Sequence, residues 1–489
     1  MRDYILLYIN GKEHRIRGEE AFIPITDYLR YNQGACGTKV VCAEGDCGAC
    51  TALIGRLGDG DGAVDGGTDA GLVYRAINSC IQFVYQLDCT HVITIEGLKL
   101  DEQLNAVQQS FVDCHGAQCG YCTPGFIVSL CGMYNRRSPV DLQTVKEELT
   151  GNLCRCTGYE SIMKSALAID EARLFKADQQ YPPAEMIEAF KEHRGSPILI
   201  KAGERTFCNP VSISDATRFK AEHPGAVIVS GGTDVSVNIN KRGFSPAHVL
   251  STSNLPDLTE IVVRDNVLEV GARASLRDLE LFVTDLIPEF FKVLSVFGSP
   301  QIRCAGTIAG NIANASPIGD TLPFLFVADA EIEVTGTSGS RRIKMNDLYV
   351  GYKTLTLKAD ELITRIFIPV PEKSDSLKIY KVSKREQLDI SSFGAAIRLK
   401  RDNNNKISDV RIAYGGIAAT VVRMKKTEAF LEGKEFALST FKEAGAVARS
   451  EITPLSDVRG SSDFRYQLAE NILLKFFYET SDERELACL

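Results

Sequence analysis

The chain has 489 residues, 44% of them hydrophobic, with a formal charge of −8 and a pI near 5.5, which predicts about three or four domains with cores of their own. The acidic balance argues against a nucleic-acid surface, and no run approaches the roughly 18 uninterrupted apolar residues of a membrane span. The six histidines include no H-x3-H pair that would suggest a histidine metal site, so a soluble, cytoplasmic protein is expected.

At the N-terminus, YILLYINGKEHRIR reads as two short alternating strands joined by Asn10-Gly11, the signal of a type I′ hairpin. A C-x4-C-x2-C loop follows, formed by Cys42, Cys47 and Cys50, with Cys80 as a distant fourth thiol. This is the spacing of a plant-type [2Fe–2S] cluster. Gly45 and Gly48 let the loop fold around the metal and turn backbone N–H groups toward it. Zinc is the alternative, but structural zinc sites favour paired C-x2-C knuckles or Cys/His mixtures. A small β-rich, ferredoxin-like domain is expected. Between Gly58 and Gly71, aspartates alternate with glycines. Ala63, Val64 and Ala70 occupy the places where an EF-hand starting at Asp59 needs a ligand, glycine and glutamate, so a polar loop is expected.

A second set comprises Cys119 and Cys122, then Cys154 and Cys156, on either side of a stretch that reads as helical. The C-x-C half can ligate one centre only if the backbone turns, and Gly151-Asn152 and Thr157-Gly158 mark such breaks. Pro124 suits a helix first turn, so each pair is expected at a helix end, where an N-terminus favours the negative charge of a tetrathiolate. A four-helix unit holding a second cluster follows. The other seven cysteines, Cys36, Cys89, Cys114, Cys131, Cys208, Cys304 and Cys488, match no ligand position and read as ordinary small apolar side chains.

Residues 174–196 carry charge and Tyr181-Pro182-Pro183 and read as a linker. Beyond them, AVIVSGG, VLEVGAR, AEIEVTG and ELITRIFIP read as strands alternating with helices such as SLRDLELFVTDL, an α/β or α+β region. Within it, Ile228, Val229, Ser230, Gly231, Gly232, Thr233, Asp234 and Val235 form a strand running into a glycine turn suited to a phosphate. A second small-residue segment, 305–323, offers glycines with Thr307, Asn311, Asn314, Ser316 and Asp320 as a surface for a dinucleotide. From about Ser374, two strands with a polar turn at Asn403 to Asn405 and then helices are expected, the last of them amphipathic and well capped.

The segments GTKxxCxEGxCGACT, QCGxCTPG and GNLCRCTGY together resemble the molybdenum hydroxylases, the xanthine dehydrogenases in particular. The resemblance implies a multidomain α+β protein: a β-grasp ferredoxin-like domain at 1–97 and a four-helix [2Fe–2S] domain at 98–173. After the linker it implies a two-part, PCMH-like FAD-binding α/β domain at 197–372 and a CO dehydrogenase flavoprotein-like α+β domain at 373–489. It carries cluster ligation onto Cys42, Cys47, Cys50 and Cys80, and onto Cys119, Cys122, Cys154 and Cys156. It implies flavin contacts at residues 228–235, Phe297, Thr307, Gly310, Asn311, Asp320, Tyr352, Ile363 and Lys381, with a segment near Asp389 controlling NAD access. Gln118 would touch a partner's molybdopterin. Val41 stands where the family usually has glycine, and only a local packing change is expected.

The family's substrate chemistry takes place at a molybdopterin centre in a further domain, and the sequence to Leu489 shows none. The expectation is the small subunit of a split, bacterial-type xanthine dehydrogenase, paired with a molybdopterin-binding large subunit as a dimer of heterodimers. Electrons would pass through two [2Fe–2S] clusters to FAD and on to NAD+, with no residue here acting as general acid or base. The alternatives are an aldehyde-oxidising or other hydroxylase subunit, a stand-alone NADH-dependent iron–sulfur flavoprotein reductase, and a zinc-binding scaffold.

Overall fold

The computed structural model describes residues 1–58, 71–99, 103–136, 140–174, 176–256 and 258–481. The aspartate-glycine loop and Cys488 lie outside the described residues. The chain forms two compact units: Met1–Asp257 with Ser275–Asp278 and Gly298–Thr307, and Leu258–Ala274 with Leu279–Phe297 and Ile308–Leu489. The FAD-binding region expected at 197–372 is therefore divided between them.

In the first unit, β1 (Ile5–Ile9) and β2 (Lys12–Ile16) pair antiparallel. Their turn places both Asn10 (φ 48°) and Gly11 (φ 81°) in the left-handed region, as a type I′ turn requires. With β3 (Thr51–Leu57), β4 (Leu72–Asn78) and β5 (Thr90–Ile93) they make a five-stranded sheet of order β2-β1-β5-β3-β4. β1 and β5 run parallel, so the connection between them must cross over. Alternation buries Ile5, Leu7, Ile9, Ile54 and Val92 against Phe22, Ile25 and Val84. The cysteine-bearing loop before β3 therefore hangs from a rigid sheet.

Four helices follow: α1 (Ala106–Asp113), α2 (Thr123–Arg136), α3 (Leu142–Glu148) and α4 (Glu160–Leu167). Asn105 caps α1 through a reciprocal bond with Gln108, and Asp141 caps α3 by accepting from Thr144 N. Val107, Phe111, Phe126, Leu130, Val145 and Ile162 bury one common core with Leu53 and Tyr74 of the sheet.

The segment read as a linker is instead largely helical. It contains α5 (Ala184–Arg194), which buries Met186 and Phe190 against Leu6 and Cys89. The i, i+4 spacing of those two residues was the overlooked signal in an otherwise charged stretch. Four further strands, β6 (Ile198–Ala202), β7 (Arg205–Asn209), β8 (Val227–Val229) and β9 (His248–Ser251), form a sheet of order β6-β7-β9-β8. α6 (Val235–Arg242) leaves the glycine turn after β8, and Ser299 caps α7 (Pro300–Ala305).

The second unit holds a five-stranded antiparallel sheet from β10 (Ile261–Arg264), β11 (Val267–Gly271), β12 (Glu331–Gly336), β13 (Gly339–Lys344) and β16 (Leu362–Pro369), ordered β10-β11-β16-β12-β13. A small hairpin, β14 (Tyr349–Gly351) with β15 (Thr354–Leu355), precedes β16. The small-residue segment forms α8 (Ile308–Asn314) and α9 (Leu322–Val327). Besides offering glycines and polar groups, the segment enters the core, where Ile308 and Ile312 are fully buried. A four-stranded sheet follows, β17 (Ser376–Val382), β18 (Phe393–Arg401), β19 (Ile407–Gly415) and β20 (Val422–Arg423), in sequence order. Helices α10 (Lys425–Leu431), α11 (Leu438–Glu451) and α12 (Ser462–Thr480) cover it, the last capped by Ser461. Phe393, Tyr414, Phe441 and Phe476 lie in their shared core.

Candidate functional site

The first four cysteines converge. The Cys42 thiol lies within hydrogen-bond reach of Cys47 and Cys80, and Cys50 within reach of Cys80. Hydrogen bonds from Cys47 and then Cys80 hold Cys42 far below the usual thiol range, while Cys47 and Cys80, acting as donors, are pushed up. Cys50 and Cys80 are buried beside Ile81 and packed by Val40, Val237 and Ile302.

The second four also meet, closer to solvent. Cys156 and Cys119 are 3.5 Å apart, and Cys122 lies within hydrogen-bond reach of Cys154. Burial first, and then Cys154, push Cys122 up to about 12. Cys119 and Cys122 immediately precede α2, and Cys154 and Cys156 lie in the turn between α3 and α4. Gly158 (φ 67°) and Tyr159 (φ 69°) make the expected break before α4. Cys119, Cys156 and Gln118 are exposed, as is Val41.

Among the described residues, no group of three or more His, Cys, Asp or Glu side chains is gathered to hold one metal ion. The first four thiols run Cys47–Cys42–Cys80–Cys50 and the second four pair as Cys119 with Cys156 and Cys122 with Cys154, and four thiolates is the donor set of a dinuclear cluster in which each iron takes two. The surroundings fit a compact group too. A β-carbon built on Gly48 would lie 2.2 Å from Gly151 O, and one on Gly125 2.2 Å from Gly48 O, so the cysteine loop closes against α2 and the 151–153 segment.

Hydrogen bonds connect these loops to the glycine turn. Leu153 N donates to Cys47 O at 3.0 Å, joining the residue before Cys154 to a thiol-bearing residue of the first set. Asn240 Nδ2 on α6 donates to Ala43 O (3.1 Å) and Cys80 O (2.9 Å). Gln82 Nε2 and Gln86 Nε2 each donate to Gly231 O at 3.2 Å. Gly231 itself packs so closely that a β-carbon would come within 1.9 Å of Ala305 O.

Buried Ser236 Oγ in the first turn of α6, Thr252 Oγ1 just after β9 and Asn209 Nδ2 at the end of β7 have no protein partner. Unpartnered buried polar atoms around a strand-glycine-helix turn fit a polar ligand such as a nucleotide. Ile228, Val229, Ser230, Gly231, Gly232, Thr233, Asp234 and Val235 build that turn, and Thr307 lies buried in the same unit.

The remaining expected flavin contacts lie in the second unit. Lys381 Nζ donates to Asp320 Oδ2 (2.8 Å) and to Val296 O (3.1 Å), and Ser391 Oγ donates to Asp320 Oδ1 at 2.5 Å. The Lys381 and Asp320 side chains are only 7% and 12% exposed. Asn311 Oδ1 accepts from Thr321 Oγ1 at 2.6 Å, and Gly310 is exposed on the same helix. Phe297 is half-buried, Ile363 is partly buried opposite Val334, and Tyr352 at the β14–β15 hairpin is 63% exposed. Asp389 accepts from Arg385 N at 2.9 Å in an exposed loop. Sequence reasoning missed Asn152, Asn240, Gln82, Gln86 and Gln301, because an amide among loops shows no periodicity that would mark its role.

Residues 94–167 match the [2Fe-2S] binding domain, residues 202–371 the FAD binding domain in molybdopterin dehydrogenase, and residues 378–480 the CO dehydrogenase flavoprotein C-terminal domain. The chain is 28% identical to the xanthine dehydrogenase of Emericella nidulans over 99% of its own length and 39% of that protein. It is 25% identical to aldehyde oxidase 3 of Rattus norvegicus, over 98% of its length and 39% of the relative. It thus spans about two fifths of the curated relatives it matches. Among solved structures, the reconstituted CO dehydrogenase from Oligotropha carboxidovorans is 26% identical with a TM-score of 0.52, covering 55% of this chain and 95% of that chain.

The matched models describe a [2Fe–2S] binding domain and a two-part FAD-binding flavoprotein region. More narrowly, the three domains and these relatives support an FAD/iron–sulfur polypeptide of the molybdenum hydroxylase type, xanthine dehydrogenase-like in sequence. Among the described residues no helix is long and apolar enough to cross a membrane.

Proposed function

We propose that this polypeptide is the electron-transfer part of a cytoplasmic, NAD+-dependent xanthine dehydrogenase, serving a molybdopterin centre on a partner. Cys42, Cys47, Cys50 and Cys80 would hold one [2Fe–2S] cluster, and Cys119, Cys122, Cys154 and Cys156 the other. The turn at residues 228–235 with Thr307, together with Phe297, Gly310, Asn311, Asp320, Tyr352, Ile363 and Lys381, would hold FAD. When bound, the clusters carry single electrons and the flavin converts them to the hydride that NAD+ requires.

The chain's own residues orient and insulate. Leu153 N–H fixes the Cys47 carbonyl, Asn240 fixes those of Ala43 and Cys80, and Gln82 and Gln86 hold Gly231. Ile81, Val237 and Ile302 keep water from Cys50 and Cys80, and such burial and hydrogen bonding tune cluster potentials. The observation that carries the reading is this continuous run of bonded loops, from Cys154 through Cys47 and Cys80 to the glycine turn. The exposed Gln118, Cys119 and Cys156 support docking of a molybdopterin-bearing partner at that face, in a dimer of such pairs.

The xanthine dehydrogenase relative favours a purine substrate, and the aldehyde oxidase relative favours an aldehyde-oxidising enzyme as the second reading. Purified complex assayed with xanthine and with aldehydes, each with NAD+ and with oxygen, separates them. Xanthine-dependent NAD+ reduction is expected, and flavin reduction by aldehydes alone would overturn the substrate assignment.

A further inference from the structure

Three buried side chains bridge the loops that carry the two cysteine sets. Asn152 Nδ2 donates to Gly48 O at 3.1 Å. Its Oδ1 accepts from Ser129 Oγ of α2 at 2.8 Å and from Gln301 Nε2 of α7 at 3.0 Å. Gln301 Nε2 also donates to Ser129 Oγ at 3.2 Å. Asn152, Ser129 and Gln301 are 2%, 3% and 1% exposed, so water cannot substitute for these partners. Beside this node, Leu153 N–H bonds Cys47 O.

Gly48 lies between Cys47 and Cys50, and Asn152 lies two residues before Cys154. The Asn152 carboxamide therefore ties the loop of one thiol set directly to the loop of the other. α7 extends the tie: Ile302 packs against Cys50 and Cys80, and Ala305 O lies beneath Gly231. Both amide atoms of Asn152 and the hydroxyl of Ser129 are bonded to protein groups.

We propose that Asn152, held by Gln301, is a positioning residue that sets the separation and relative orientation of the two iron–sulfur centres, rather than merely stabilising the fold. The proposal rests on the ligand reading above. Asn152→Asp keeps the acceptor for Ser129 and Gln301 but sets an oxygen against Gly48 O, forcing the two loops apart. Gln301→Leu removes the support while changing no residue of either cysteine loop. Ser129→Ala removes one donor to Asn152 Oδ1 while Gln301 Nε2 remains.

The test is low-temperature electron paramagnetic resonance of the dithionite-reduced full chain, which reads the magnetic splitting between two reduced clusters, together with the midpoint potential of each cluster. Asn152→Asp and Gln301→Leu are expected to keep both signals and to shift or lose the splitting, with Ser129→Ala close to wild type. Unchanged splitting and potentials in both variants overturn the proposal. If Asn152→Asp fails to assemble, Gln301→Leu decides it alone, by the same splitting. A wild-type chain lacking two reduced-cluster signals would instead overturn the ligand assignment itself.

Discussion

Gly48→Ala and Gly158→Ala form a matched pair, because both glycines have φ +67° yet differ in surroundings. A β-carbon at Gly158 meets nothing within 4 Å, whereas one at Gly48 would lie 2.2 Å from Gly151 O and 2.5 Å from Asn152 Nδ2. Left-handed backbone alone costs an alanine roughly 1–2 kcal/mol. At Gly48 the loop must also move away from residues 151–153, straining the bonds Leu153 N to Cys47 O and Asn152 Nδ2 to Gly48 O. Each buried group left unpaired adds about 1–3 kcal/mol, so with two bonds strained the total for Gly48→Ala is roughly 3–8 kcal/mol against 1–2 for Gly158→Ala. Denaturant unfolding followed by loss of cluster absorbance reads both variants. Gly48→Ala is expected to unfold well before Gly158→Ala, and equal shifts would refute the close approach of the two cysteine loops.

Other consequences are open to direct measurement. His91 is fully buried, accepts from Gly11 N at Nε2 and donates from Nδ1 to the Tyr74 hydroxyl, and burial lowers its pKa from 6.5 to about 4. The unfolded chain then binds the extra proton first. Stability should be unaffected by this group above pH 6.5 and should fall by about 3 kcal/mol as pH drops from there toward 4. Urea midpoints of wild type and His91→Gln across that window should converge, and parallel curves would remove His91 as the cause. Lys381→Met leaves Asp320 buried without its cation and should destabilise the protein by about 3 kcal/mol. Lys381→Met combined with Asp320→Asn should recover part of that loss, which a double-mutant cycle measures. Cys50→Ser should abolish one reduced-cluster resonance and Cys122→Ser the other, and loss of both from either substitution would contradict two independent ligand sets.

Elements with strong local signals were legible in the sequence. The Asn10-Gly11 hairpin, the strands ending in AVIVSGG and ELITRIFIP, and the Ser461-capped last helix all occur where their turn chemistry and periodicity put them. The spacing sorted the eight cysteines into two sets, and within the second Cys119 and Cys156 lie 3.5 Å apart. What escaped was long-range. Met186 and Phe190 bury a helix that charge and prolines disguised as a linker, and Ile308 and Ile312 enter a core from a segment dominated by small residues. The amides of Asn152, Gln301 and Asn240 act across 149, 172 or 197 residues of sequence, distances at which no local pattern reports a contact.

The central claim is that eight thiols hold two dinuclear clusters in series with a bound flavin. Anaerobic purification, flavin and iron determination, and resonance spectra of the dithionite-reduced chain test it most directly. FAD and two distinct reduced [2Fe–2S] signals in one polypeptide are expected. A colourless protein, or one whose cysteines bind zinc without any reduced-cluster resonance, would contradict it.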